Sequence, residues 1–195
     1  VTFTILTVCT GNICRSPAAA LLLARGLADL PGITVASAGT GALVGAGIPE
    51  PALRLLSAEG VDGAKHHSRQ LTAGLVRDSD LVLAMTREHR RAVVELVPAA
   101  TRRTFTVREL ARVAESLAAE PMSRIADADE SARMRAAVLQ ASGIRGMVPQ
   151  PADPRDLDVI DPYRQSEAVF RESFDQLLPA LASVAAFLSR SARNG

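Results

Sequence analysis

The sequence predicts an α/β protein: three layers, α/β/α, around a central four-stranded parallel sheet. Three observations carry that reading. Four short runs rich in β-branched and large apolar residues, Thr2–Val8, Gly32–Ala36, Leu81–Met85 and Thr104–Val107, have the length and composition of buried strands. Segments of helical periodicity separate them. The longest of these, Gln165–Arg190, sets Val169, Phe170, Phe174, Leu177, Leu181, Val184 and Leu188 at the spacing of one apolar face. Strands that alternate with helices pair in parallel, and the helices then cover both faces of the sheet.

The elements follow in order. Ser16-Pro17 opens the first helix, because serine is a good N-cap and proline a good first helical residue; an apolar run from Ala18 to Leu30 follows. Ser37–Pro51 is rich in glycine and reads as a loop, of the kind that walls a site at the top of a sheet. Pro51–Glu59 is helical and is stopped by Gly60. His66–Leu71 is a polar strip. Glu88–Val97 is a helix ended by Pro98, and Arg108–Ala119 and Ser131–Ser142 read as two more. The stretch from Ala119 to Val159 carries Pro121, Pro149, Pro151 and Pro154 and serves either as an interaction surface or as a lid. No internal repeat is found. Residues 1–195 are expected to form one domain, elaborated at about 119–159.

Composition excludes several classes. The chain has 195 residues, 48% of them hydrophobic and 22% charged, which is ordinary for a soluble globular protein. A net charge of +1 argues against a nucleic-acid binder. Lys65 is the only lysine among 22 basic residues; with the high alanine content this suggests a high-GC bacterial source. Two cysteines are too few for a disulfide scaffold. No apolar stretch reaches membrane-spanning length and the N-terminus is a strand without a basic leader, so a cytoplasmic location and no membrane partner are expected.

The chemistry is concentrated in the turn Cys9-Thr10-Gly11-Asn12-Ile13-Cys14-Arg15. It runs from the carboxyl end of a strand into the amino end of a helix, where ligands bind in an open α/β sheet. Successive backbone N–H groups and the helix dipole attract an anion there. Positive potential at the floor of the turn favours a Cys9 thiolate over the thiol. Arg15 brings a planar fork that matches two oxygens of a phosphate. Gly11 and Asn12 tolerate positive φ, which inward-turned amides require. The Ser16 hydroxyl is placed to donate to the sulfur. Cys-x5-Arg alone says little in an arginine-rich chain. With strand, Gly-Asn, Ser-Pro and helix around it, the pattern describes a phosphoryl-transfer site that needs neither metal nor cofactor. The plain alternative is a small buried cysteine in a βα turn.

The run Cys9-Thr10-Gly11-Asn12-Ile13-Cys14-Arg15-Ser16-Pro17 resembles the phosphate-binding loop of the low-molecular-weight protein-tyrosine-phosphatase family. Ser37-Ala38-Gly39-Thr40, His66-His67-Ser68-Arg69-Gln70-Leu71 and Asp161-Pro162-Tyr163 recur in that family's order. The likeness covers Thr2 to about Val97 and again about Val159 to Leu188. It implies the phosphotyrosine phosphatase I-like fold, with strand order 2-1-3-4. It also implies hydrolysis of phosphotyrosine in proteins through a phosphocysteine, with a bacterial tyrosine kinase or its substrates as partners. By the same resemblance Cys9 is the nucleophile, Arg15 the phosphate clamp and Asp161 the general acid and base. Thr10, Gly11, Asn12, Ile13, Cys14 and Ser16 form the cup around the phosphate, and Tyr163 packs on the substrate ring. Ser37 and His66 join Asn12 in a hydrogen-bond network that holds the loop. Cys14 either forms a reversible disulfide with Cys9, as in relatives with this pair, or is a small core residue.

Asp153-Pro154 and Asp158 lie close to Asp161, but an aromatic follows Pro162 and the last helix starts soon after, which favours Asp161. His66 and His67 invite a metal, yet neighbours on a strand or helix poorly share one ion, and His89 adds nothing at a useful spacing. An arsenate reductase needs a relay of thiols, and Cys9 and Cys14 are the only two. Phosphoarginine hydrolysis goes in relatives with Thr at the position of Ile13, and phosphotyrosine with an apolar branched residue. A silent anion-binding module is the non-enzymatic rival, against which intact Cys9, Arg15 and Asp161 argue. Ala20 stands where many members have Glu, and Thr86 where many have Asp; with no Trp and one Tyr, the substrate walls are less aromatic than in many relatives.

Overall fold

The structure, a computed structural model, describes residues 2–118 and 129–193. Among them four strands form one parallel sheet in the order β2-β1-β3-β4: β1 Phe3–Cys9, β2 Ile33–Gly39, β3 Leu81–Ala84 and β4 Thr104–Thr106. The helices are α1 Arg15–Gly26, α2 Glu50–Ala58, α3 Ala73–Arg77, α4 Arg87–Leu96, α5 Val107–Ser116, α6 Glu130–Ile144 and α7 Glu167–Arg193. Fold class and strand order are those the sequence implies.

Alternation along the strands separates two cores. Phe3, Ile5, Leu81, Leu83 and Phe105 face the larger one, shared with Leu23 of α1, Leu110 of α5, Val138 of α6 and Leu177, Val184 and Phe187 of α7. Leu6, Val8 and Val82 face the smaller, with Val76 of α3 and Val93 of α4. Full burial of each such side chain contributes about 1.5–3 kcal/mol, so the sheet is fixed from both sides and its carboxyl edge is a rigid platform.

Four boundaries depart from the sequence reading. α1 starts at Arg15 with Cys14 as its N-cap and no side-chain cap bond; Ser16 is inside the helix, its hydroxyl turned to other partners. α1 ends at Gly26, four residues before Leu30, because the chain turns at Leu27 to reach β2. Ser37–Gly39, read as loop, continues β2 in register with Thr7–Cys9 of β1. The five-residue α3 was not foreseen; Thr72 caps it through the amide of Leu75. Gly60 stops α2 as expected, at φ +70°.

The stretch 119–159 is described from residue 129; Ala119 and Pro121 lie outside the described residues. α6 runs beneath the sheet. Its Arg135 meets Asp80 at 2.7 Å and the carbonyl of Thr2, at the amino ends of β1 and β3. Arg145, just after it, donates to the Thr104 carbonyl at 2.9 Å and stacks on Phe105 at 3.9 Å. Arg90 of α4 donates to the same carbonyl at 3.2 Å. Arg90 and Arg145 also approach the Glu109 carboxylate of α5, at 3.7 and 3.6 Å, so side chains satisfy the carbonyl at the amino end of β4. α6 therefore lies at the opposite end of the sheet from the Cys9 turn and does not roof it. Among the described residues no helix is long and apolar enough to cross a membrane.

Candidate active site

β1 delivers Cys9 to the carboxyl edge of the sheet, and α1 begins six residues later. Between them the chain closes into a cup. Its carbonyls point outward: those of Cys9, Thr10 and Gly11 accept from the amides of Thr40, Gly41 and Leu43 at 2.9–3.1 Å. The N–H groups of Thr10 to Cys14 meet no acceptor among the described residues, and so are free for an anion. Asn12 holds φ +54°, a conformation that only one other non-glycine residue, Arg164, adopts among those described. Its side chain meets that strain with three bonds: Nδ2 donates to Ser16 Oγ (3.0 Å) and Ser37 Oγ (2.9 Å), and Oδ1 accepts from the Arg69 amide (2.9 Å). His66 Nε2 donates to the Asn12 carbonyl at 2.7 Å. Burial lowers the His66 pKa, more than the bond to Asn12 raises it, so a neutral imidazole fills this place.

Cys9 Sγ lies 2.9 Å from Ser16 Oγ at the floor of the cup. Arg15 is almost wholly buried; Nη1 donates to the Val159 carbonyl at 3.1 Å, Nη2 pairs with Asp161 Oδ2 at 2.6 Å, and Nε is buried without a partner. Cys14 is buried too, and burial first, then the neighbouring Cys9, push its pKa up to about 12. Both cysteines are free.

The Asp161 loop is anchored on four sides. The Val159 amide bonds the Met85 carbonyl beyond β3 (2.8 Å), the Ile160 amide bonds Gln176 of α7 (2.8 Å), and Arg108 of α5 donates to the Asp158 carbonyl (2.9 Å). Arg87 of α4 grips the Asp158 carboxylate through Nε and Nη2. Asp158 is thus occupied with structure. Asp153 is held at the surface by Arg155, whose hydrogen bonds lower its pKa. Of the three candidate carboxylates, Asp161 is the one at the cup. A cavity of about 260 Å³ opens there, walled by Ile13, Leu43 and Tyr163 above Cys9, Arg15 and Asp161.

The sequence model of the low molecular weight phosphotyrosine protein phosphatase family matches residues 4–123. The chain belongs to that family. It is 41% identical over 107 residues to the probable low molecular weight protein-tyrosine-phosphatase EpsP of Ralstonia nicotianae, which covers 55% of this chain and 72% of that protein. It is 46% identical over 94 residues to the low molecular weight protein-tyrosine-phosphatase Wzb of Salmonella typhi, covering 48% and 61%. In three dimensions it resembles the YwlE arginine phosphatase from Geobacillus stearothermophilus, with a TM-score of 0.68, 29% identity and coverage of 96% and 94%. Asp161 and Tyr163 lie beyond the family match, and their place at the cup is a matter of geometry.

The fold thus gathers Cys9, Arg15, Asp161 and Tyr163 with the loop residues Thr10 to Ser16, and Ser37 and His66 stand behind the loop. His67 is exposed and turned away to the Gly45 carbonyl, so it shares no ligand geometry with His66. Two residues were missed. Gly39, paired with Cys9 in the sheet, has room for no side chain: a Cβ there would stand 2.3 Å from the Thr10 carbonyl oxygen and 3.0 Å from the Asn12 amide nitrogen. Gly39→Ala is expected to cost about 1–3 kcal/mol in a urea melt, and phosphate inhibition should weaken at least tenfold as the loop shifts. His89 is the other. Local spacing held one signal for it, a Thr-x-x-His at the start of α4, where Thr86 Oγ1 accepts from the His89 amide.

Proposed function

We propose that the chain hydrolyses phosphotyrosine in proteins in two steps. Cys9 attacks phosphorus in line, forming an S–P bond as the P–O bond to the aryl oxygen breaks. Asp161 gives its proton to that leaving oxygen. Water then attacks the phosphocysteine, losing a proton to Asp161, and the S–P bond breaks to release phosphate and the thiolate. Arg15 and the loop amides hold the three non-bridging oxygens throughout, so stabilisation is electrostatic and prearranged. One observation carries the reading: a sulfur at the floor of unpaired amides, with the unpartnered Arg15 Nε and the Asp161 carboxylate at the rim. The partners are phosphotyrosine proteins, a tyrosine kinase or its substrates. Hydrolysis of a phosphotyrosine peptide, compared with phosphoserine, phosphoarginine and arsenate reduction, tests this; a chain that prefers any of the last three is something else.

Phosphoarginine is the second reading, favoured by the likeness to an arginine phosphatase structure. Ile13 supports tyrosine instead. It is buried in the cup wall beside Leu43 and Tyr163, and an apolar wall suits a phenyl ring better than a guanidinium that needs acceptors. Ile13→Thr keeps the branched shape and adds a hydroxyl. The ratio of kcat/KM for phosphotyrosine over phosphoarginine is expected to fall by about tenfold, the scale of one pocket methyl exchanged for a polar group. An unchanged ratio would remove Ile13 as the selector.

A further inference from the structure

Thr10 follows the nucleophile and is exposed, forming the ridge between the cup and a second cavity of about 440 Å³ on the β3 side. Its backbone is held from the β2 side, where its carbonyl accepts from Gly41. Its side chain is held from the β3 side: Thr10 Oγ1 lies 2.8 Å from Nε2 of His89. His89 Nδ1 lies 2.8 Å from Oγ1 of Thr86, the N-cap of α4. His89 is 6% exposed, 79 residues from Thr10 in sequence, and has no other partner among the described residues.

We propose that His89 is a positioning residue of the phosphate-binding loop, tying Thr10 to the cap of α4 so that the amides beyond Thr10 keep facing the anion. The inference rests on the phosphatase reading for its consequence in turnover. The device mirrors the one on the β2 side, where His66 holds Asn12. Each imidazole nitrogen of His89 meets a hydroxyl, which can donate or accept, so a neutral ring satisfies both in either tautomer. A cationic ring would be buried and would stand near the Arg15 guanidinium. Burial, and next the charge of Arg15, push the His89 pKa down to about 4, against the opposing pull of Asp161 and Asp158. The neutral link is therefore intact from mildly acid pH upward.

The test compares His89→Ala, His89→Gln, Thr10→Val and the double variant His89→Ala/Thr10→Val. Protection of Cys9 by inorganic phosphate against iodoacetate, followed on the Cys9 peptide by mass spectrometry, reads the loop without turnover. Hydrolysis of p-nitrophenyl phosphate reads its consequence. His89→Ala and Thr10→Val should each weaken phosphate protection about tenfold, the worth of one buried hydrogen bond. The double variant should lose no more than either single one, since the two residues form one link. His89→Gln, which can still reach Thr10 with an amide, should recover most of the loss. Phosphate affinity at the wild-type level in Thr10→Val, or losses that multiply in the double variant, would overturn the proposal. Were His89→Ala not to fold, Thr10→Val and His89→Gln decide it by the same measure. A wild-type chain protected by phosphate but inactive on every phosphomonoester would refute the phosphatase reading and leave the link standing.

Discussion

Cys9→Ser is expected to abolish steady-state hydrolysis, with kcat lowered by four orders of magnitude or more, on the order of what removing the nucleophile costs other covalent enzymes. Two physical reasons combine. A serine hydroxyl ionises far less readily than a thiol, and Ser16 Oγ, which lies 2.9 Å from the sulfur at the cup floor, is no base. Any phosphoryl group that serine did accept would stay, because an alkoxide leaves phosphorus far less readily than a thiolate. Phosphate binding should survive, because the loop amides, Arg15 Nε and the Asn12 network are untouched. Calorimetric titration with phosphate, beside p-nitrophenyl phosphate turnover, checks both halves. Turnover within a hundredfold of wild type would place the nucleophile elsewhere.

What the sequence made legible, and what it hid, divides along the reach of each signal. β1 and the turn after it were legible because the evidence is contiguous: a β-branched run, then Gly-Asn, then a helix. The start of α1 was misread because Ser16 obeys two masters. Its residue type suits an N-cap, but Cys9 and Asn12 claim its hydroxyl, so the helix starts uncapped at Arg15 and its dipole faces the cup. The end of β2 was misread for a related reason: Ser37-Ala38-Gly39-Thr40 has loop composition, yet Gly39 is there to let the Thr10 carbonyl pass. α3 is too short for periodicity to show. His89 was invisible because its meaning depends on Thr10, which only the pairing of β1 with β3 brings near. The role of α6 was likewise a question of which end of the sheet it covers, and no local pattern encodes that.

The sharpest separation between a catalytic carboxylate and a turn carboxylate comes from Asp161→Asn. In the resting enzyme Asp161 pairs with Arg15 Nη2, with the carboxylate half-exposed and the guanidinium buried. An incoming phosphate would compete for that guanidinium, so under the proposed mechanism Asp161 both supplies the proton and raises the cost of anion entry. Asparagine removes both effects. The phosphotyrosine leaving group is a phenol of pKa about 10, which needs protonation as it departs. Its turnover should fall by about 10²–10⁴. p-Nitrophenolate is a stable anion near neutral pH, so formation of the phosphocysteine from its ester should fall much less. Inorganic phosphate should bind more tightly, since Arg15 is released and a neighbouring negative charge is gone. Asp153→Asn, whose carboxylate is held at the surface by Arg155, should alter none of these. Burst kinetics with the two esters, together with phosphate inhibition constants, measures all three expectations. Equal losses for both esters would mean that the carboxylate sets the loop and donates no proton. A weaker phosphate constant in Asp161→Asn would mean that the pair with Arg15 orients the guanidinium for the anion and does not compete with it.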